Sequence, residues 1–221
     1  RFHSSSGELF AVGANALQAN TASDNTAVGA SALTANTSGV RNTAVGRDAL
    51  AATTTAGDNT AVGYHSLQAS TGGRNTAVGS NALAANTTGT DNVAVGAAAL
   101  DANTTGIGNI AIGKDALGAN IGGSKNTAVG DSALLRNTSG ISNTAVGDSA
   151  LLNNTTGQNN TAVGALTLAN NAGGQSNTAV GVGALRANTS GIANTAAGAG
   201  ALGANTTSLG NTAFGVLALG A

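Results

Sequence analysis

The apolar positions of the chain recur in a fixed order: a Thr-Ala-Val triplet, a glycine and, two residues further on, an Ala-Leu pair. The pentad Asn25-Thr26-Ala27-Val28-Gly29 returns with its Asn at 42, 59, 75, 92, 109, 126, 143, 160, 177, 194 and 211, and Leu9-Phe10-Ala11-Val12-Gly13 is a degenerate first copy. Thirteen copies therefore follow one another at 17-residue spacing, shortened to 16 in the first and in the one beginning at Asn59. One unit reads N-T-A-V-G-x-x-A-L-x-x-N-T-T-G-x-x, and its positions are numbered 1 to 17 below. Thr-Ala-Val is β-prone at two of its three positions, and the glycine ends the run. Ala-Leu predicts a second short extended segment, and Asn-Thr-Thr-Gly is turn chemistry, because Asn caps local backbone and Gly admits positive φ. A helical repeat needs more than about 30 residues per unit.

Stacking such units gives an all-β, parallel β-solenoid of thirteen coils, each with two short strands and two turns. At about 4.8 Å per coil the rod is about 60 Å long. We expect one domain over residues 9–221, preceded by a lead-in at residues 1–8. Identical residues then stack in ladders. Val28, Val45 and Val62 begin one that runs on to Ala197 and Phe214; Leu33, Leu50 and Leu67 belong to another that reaches Leu219. Position 3 is Ala in every copy, which marks a place too narrow for anything larger, either inside the flat coil or where another backbone approaches. Neighbouring strand residues face opposite sides, so Ala and Val cannot both point inward. A continuous outward Val row exceeds the apolar patch a soluble monomer tolerates, and this predicts that sister chains cover it.

Composition narrows the picture further. The chain has 34 Gly, 3 Phe, one Tyr and no Trp, Met, Pro or Cys, so it cannot fill a thick core. Charged residues are 8% and the net charge is −1, which predicts no nucleic-acid partner. No apolar run reaches the roughly 20 residues of a membrane span, so no membrane insertion is expected of this segment. Because the chain opens at Arg1 and contains no Met, it reads as a processed or excised piece of a longer protein. Leu217, Ala218 and Leu219 keep the repeat register to the last coil, so head-to-tail growth is a further expectation.

The unit N-T-A-V-G-x-x-A-L resembles the N-S-V-A-I-G-x-x-S repeat of YadA-like head domains in trimeric autotransporter adhesins, and the related repeats of phage tail fibres. The resemblance covers residues 9–221. It implies a left-handed parallel β-roll with three chains around one axis. The unit here is longer than that family's, with the extra residues in the Asn-Thr-Thr-Gly turn, and a neck, coiled coil or membrane anchor is not expected within these residues. The resemblance implies an extracellular location, on a cell surface or virion, and adhesion to a host surface receptor or matrix.

Several ladders can carry more than structure. Asp24, Arg41, Asp58, Arg74 and Asp91 alternate in sign at the last coil position, which reads as register-setting at a solvated edge. Asn25, Asn42 and Asn59 begin an asparagine ladder at position 1, able to hydrogen-bond up the rod. A second row at position 12 comprises Asn36, Asn86, Asn103, Asn120, Asn137, Asn154, Asn188 and Asn205. Lys114, Asp131 and Asp148 share another edge, but the coils lack the Gly-Gly-x-Gly-x-Asp pattern of calcium solenoids, so neither metal nor cofactor is expected. His3 and His65 are the only histidines, and His65 reads as a surface substitution. No catalytic grouping emerges. The expected function is therefore a structural or adhesive rod in a trimeric fibre. The alternative is a monomeric ice-binding solenoid, although such faces carry T-x-T, and Thr26-Ala27-Val28 supplies one threonine rank.

Overall fold

The computed structural model describes Phe2–His3 and residues 9–220, so most of the expected lead-in, and Ala221, lie outside the described residues. A short β1 (Phe2–His3) pairs antiparallel with β2 (Leu9–Val12). Parallel strands follow, one per coil: β3 (Asn25–Val28), β4 (Thr43–Val45), β5 (Thr60–Val62), β6 (Thr76–Val78), β7 (Val93–Val95), β8 (Ile110–Ile112), β9 (Thr127–Val129), β10 (Thr144–Val146), β11 (Thr161–Val163), β12 (Thr178–Val180), β13 (Thr195–Ala197) and β14 (Thr212–Phe214). They form a single sheet in sequence order, and each residue pairs with its equivalent one coil away, as Ala145 does with Ala162. This is a parallel β-solenoid of thirteen coils, and no helix occurs among the described residues.

Burial alternates along each strand. Position 3 is sealed, with Ala27, Ala44, Ala61 and their successors to Ala196 at 0% exposure, while Thr and Val on either side face outward. The apolar part of the interior is this Ala row, the Ala of position 8 and the Leu row, and buried asparagines line the rest. Leu33, Leu50 and Leu67 are completely buried.

The Ala-Leu segment differs from the expected second strand. It is a run of turns, and its leucines occupy the left-handed region, with φ between 49° and 53° at Leu33, Leu50, Leu67 and Leu83. That conformation costs a residue with a Cβ roughly 1–2 kcal/mol. Full burial of a leucine contributes about 1.5–3 kcal/mol in return, and the flipped peptide still bonds along the rod. From Leu17 to Leu202, each Leu N–H of this row donates to the position-8 carbonyl of the next coil at 2.9–3.1 Å. A strand there would stand a sheet-packing distance of about 10 Å from its opposite, a gap that Ala and a single Leu cannot fill. The turn brings one Leu into the middle of a thin coil instead.

Glycine at position 5 closes the strand under tight constraint. Gly113 has φ +135°, and a Cβ there would lie 2.3 Å from the carbonyl oxygen of Gly130 in the next coil. Gly113→Ala is therefore expected to destabilise the rod by more than about 3 kcal/mol, and Leu117→Ala by about 2–5 kcal/mol, measured by chemical denaturation. Equal stability of G113A and the parent would contradict this stacking.

Candidate functional site

The outward sheet face runs the length of the rod. Its two ranks are position 2, mostly Thr, and position 4, mostly Val, and neither carries a charged residue in any described coil. Val78 and Val95 are 37% exposed, Ile112 is 42% and Val180 is 44%, whereas Val28, Val45 and Val62 are half-buried. The face is therefore uncharged, with a threonine rank beside an apolar one along most of the rod. In coils β7 and β8 the threonine rank itself turns apolar, with Val93 and Ile110 replacing Thr.

Beneath it runs a buried polar spine. Asn25, Asn42 and Asn59 are completely buried, and each backbone N–H from Asn42 onward donates to Oδ1 of the asparagine one coil earlier. Asn109 shows the complete pattern: its N–H and Nδ2 both donate to Asn92 Oδ1, at 2.9 and 3.2 Å, and Nδ2 also donates to the Gly123 carbonyl at 2.8 Å. The position-12 row meets the first at that same carbonyl, where Asn120 Nδ2 donates at 2.9 Å and also donates to Asn103 Oδ1 at 2.7 Å.

The structure adds members to this second row that the pentad spacing alone did not bring out. Asn171 donates to Asn154 Oδ1 at 2.8 Å, Asn20 accepts from Asn36, and Ser70 accepts from Asn86. Thr53 occupies the remaining place, and its hydroxyl donates to the Ser70 carbonyl at 2.8 Å. That leaves Asn36 Oδ1 buried without a donor. The same coil is unusual again at position 15, where Ala56 replaces Gly. In the coils that keep Asn and Gly, a Cβ at the glycine would lie 2.2–2.5 Å from the asparagine Oδ1. Thr53 has removed that oxygen beside Ala56, whereas in the coil of Asn194 a serine, Ser208, stands at position 15 beside Asn205.

Asp24, Arg41, Asp58, Arg74 and Asp91 stack at position 17, all with φ between 56° and 63°. The pairs form in one direction. Arg41 donates through Nε and Nη2 to both carboxylate oxygens of Asp58, and Arg74 does the same to Asp91 at 2.6 and 2.9 Å. Asp24 accepts from Ser23 Oγ at 3.0 Å. The guanidinium hydrogen bonds hold the Asp58 and Asp91 carboxyls below the usual carboxylate value, while partial burial, with the Asp115 charge adding to it, raises Asp101. At the other edge position Lys114 pairs with its neighbour Asp115 at 3.4 Å, and Asp131 accepts from Ser132 Oγ at 3.0 Å.

One corner departs from the repeat. Positions 6 and 7 of two consecutive coils are Arg47-Asp48 and Tyr64-His65. The Tyr64 and His65 rings stack with centroids 3.7 Å apart, Arg47 lies 5.8 Å from the Tyr64 centroid, and Asp48 receives Arg47 at 3.0 Å and faces His65 Nε2 at 3.4 Å. His65 is therefore a half-buried member of a four-residue cluster rather than an isolated surface change. The 17-residue offsets from Arg47 to Tyr64 and from Asp48 to His65 are the sequence signal for it.

Two outcomes test this geometry. The double variant T53N/A56G supplies a donor to Asn36 Oδ1 and is expected to raise stability by about 1–3 kcal/mol in denaturant unfolding, with T53N alone gaining less because Ala56 obstructs it. In carboxyl NMR titrations Asp58 and Asp91 should lose their protons below 3.8 and Asp101 above it. The sign follows from linkage: the lowered pair stabilises the fold above the unfolded-state pKa and loses that contribution as pH falls through the folded one, while Asp101 acts oppositely. R41Q should move Asp58 upward; an unmoved titration would remove the ion pair as cause.

No family model matches the chain, and no curated protein matches its sequence at a significant level.

Proposed function

We propose that this chain is a structural or adhesive rod segment of a trimeric extracellular fibre, of the kind found in surface adhesin heads, phage tail fibres or self-assembling filaments, and that it has no catalytic role. The observation that carries the proposal is the uncharged Thr/Val face left on the outside of the sheet. About 60 Å of rod and about 10 Å of strand width give roughly 600 Å² in projection. That is at the upper end of what monomers expose and close to the roughly 800 Å² that one partner contributes to a stable interface.

Three further points support the reading. The repeat resembles that of YadA-like heads, where three chains share an axis. A face that repeats once per coil is matched row for row by another copy of itself, since few other surfaces share its spacing. The remaining edges vary from coil to coil, as at Arg47, Tyr64, Lys114 and Asp131, and would give many weak contacts to a receptor or matrix that sum by avidity.

Light scattering coupled to size exclusion should return three times the 20.7 kDa chain mass. Val95→Asp buries a charge in the shared face and is expected to raise the dissociation constant at least tenfold, about 1.4 kcal/mol. A monomer that shows thermal hysteresis in ice would replace this proposal with a single-chain ice-binding role.

A further inference from the structure

A strictly repetitive face has a weakness. Two copies can slide past each other by one coil, about 4.8 Å, and meet almost the same surface again. The strands β3 to β6 are four successive T-x-V faces, and β9 to β12 are four more. Between them stand only Val93 and Val95 on β7 and Ile110 and Ile112 on β8, where the threonine rank has lost its hydroxyls.

Building on the proposed self-association, we infer that this central apolar belt is the register key of the assembly: Val93, Val95, Ile110 and Ile112 of one chain pack against the same four residues of its sister chains and fix their axial alignment. The chemistry sorts like with like. In register, Thr hydroxyls meet Thr hydroxyls and can pair, while the belt meets only hydrocarbon. After a one-coil slip, threonines of β6 or β9 lie against Val or Ile, so a hydroxyl is buried without an acceptor and isoleucine packing is lost. The belt sits at the middle of the face, flanked by four uniform coils on each side, so a slip in either direction is penalised alike. The residues are available for this role, since Val95, Ile110 and Ile112 are 37%, 40% and 42% exposed in the single chain.

The chain has no cysteine, so introduced ones report cleanly. Thr43 and Thr60 are outward partners in adjacent strands. Chains carrying T43C or T60C are mixed, assembled and oxidised. In register, 43–43 and 60–60 cross-links form; a one-coil slip gives 43–60 cross-links. The parent face should keep mixed cross-links below about a tenth of the total. The variant V93T/I110T/I112V, which makes the face uniform from β3 to β12, should raise them at least threefold at unchanged oligomer mass. Moving the belt two coils along, by adding T127V/T144I/V146I to that variant, should restore the parental pattern. Equal mixed cross-linking in all three proteins would overturn the register key while leaving the oligomer intact. Absence of any cross-link, with monomer mass, would instead overturn the self-association on which it rests.

Discussion

Each coil lies one β-spacing from the next, and in that geometry every side chain has the residue at the same position of the next coil as its axial neighbour, most often one of its own kind. Hydrogen bonds along the axis hold the spacing on the strand side, where Ala145 lies against Ala162, and equally on the turn side, where leucine N–H groups reach the next coil. Once the repeat distance is set, residue choice follows. Position 5 must be Gly because the next carbonyl passes within bonding reach of where a Cβ would be. Position 3 must be Ala because the coil is thin. Asparagine tolerates self-stacking because its amide both donates and accepts. Charges pair along the axis where their signs alternate, as from Arg41 to Asp58 and from Arg74 to Asp91, while the like charges Asp131 and Asp148 stack at another edge.

The two asparagine rows work as one unit. In the coils that keep both asparagines and the glycine, a shared glycine carbonyl joins the strand to the Asn-Thr-Thr-Gly turn, and Oδ1 atoms join one coil to the next. A buried amide is costly when any of its groups is orphaned, so such a ladder specifies stacking in register more sharply than apolar rows can. At Thr53 and Ala56 both the amide and the glycine beside it are replaced in one coil. The unpartnered Asn36 Oδ1 is the cost, confined to one place in the rod.

This economy has a consequence for function. A coil too thin to bury both sides of its strand places Ala inside and leaves Thr and Val outside, so the fold is complete as a stack and incomplete as a surface. The proposed assembly of sister chains removes that surface from water. It also leaves the turn corners, where sequence is free to vary, facing outward for contact. The Arg47, Asp48, Tyr64 and His65 cluster shows how much local chemistry such a corner accepts without disturbing the ladders beneath it.

Periodicity along a chain is a one-dimensional property, and stacking converts it directly into neighbours. For that reason the thirteen coils, the parallel pairing, the inward Ala row and the position-1 asparagine ladder were legible in the residues alone. The conformation of the Ala-Leu segment was not, because a leucine enters the left-handed region only when burial against adjacent coils offsets the backbone strain, and that burial does not exist until the coils are stacked. The same holds for the places of Asn20, Asn171, Thr53 and Ser70 in the second row and for the contacts of His65. Substitutions and spacing could be seen in the chain, but their hydrogen bonds depend on atoms one coil away, in positions that only the tertiary structure sets.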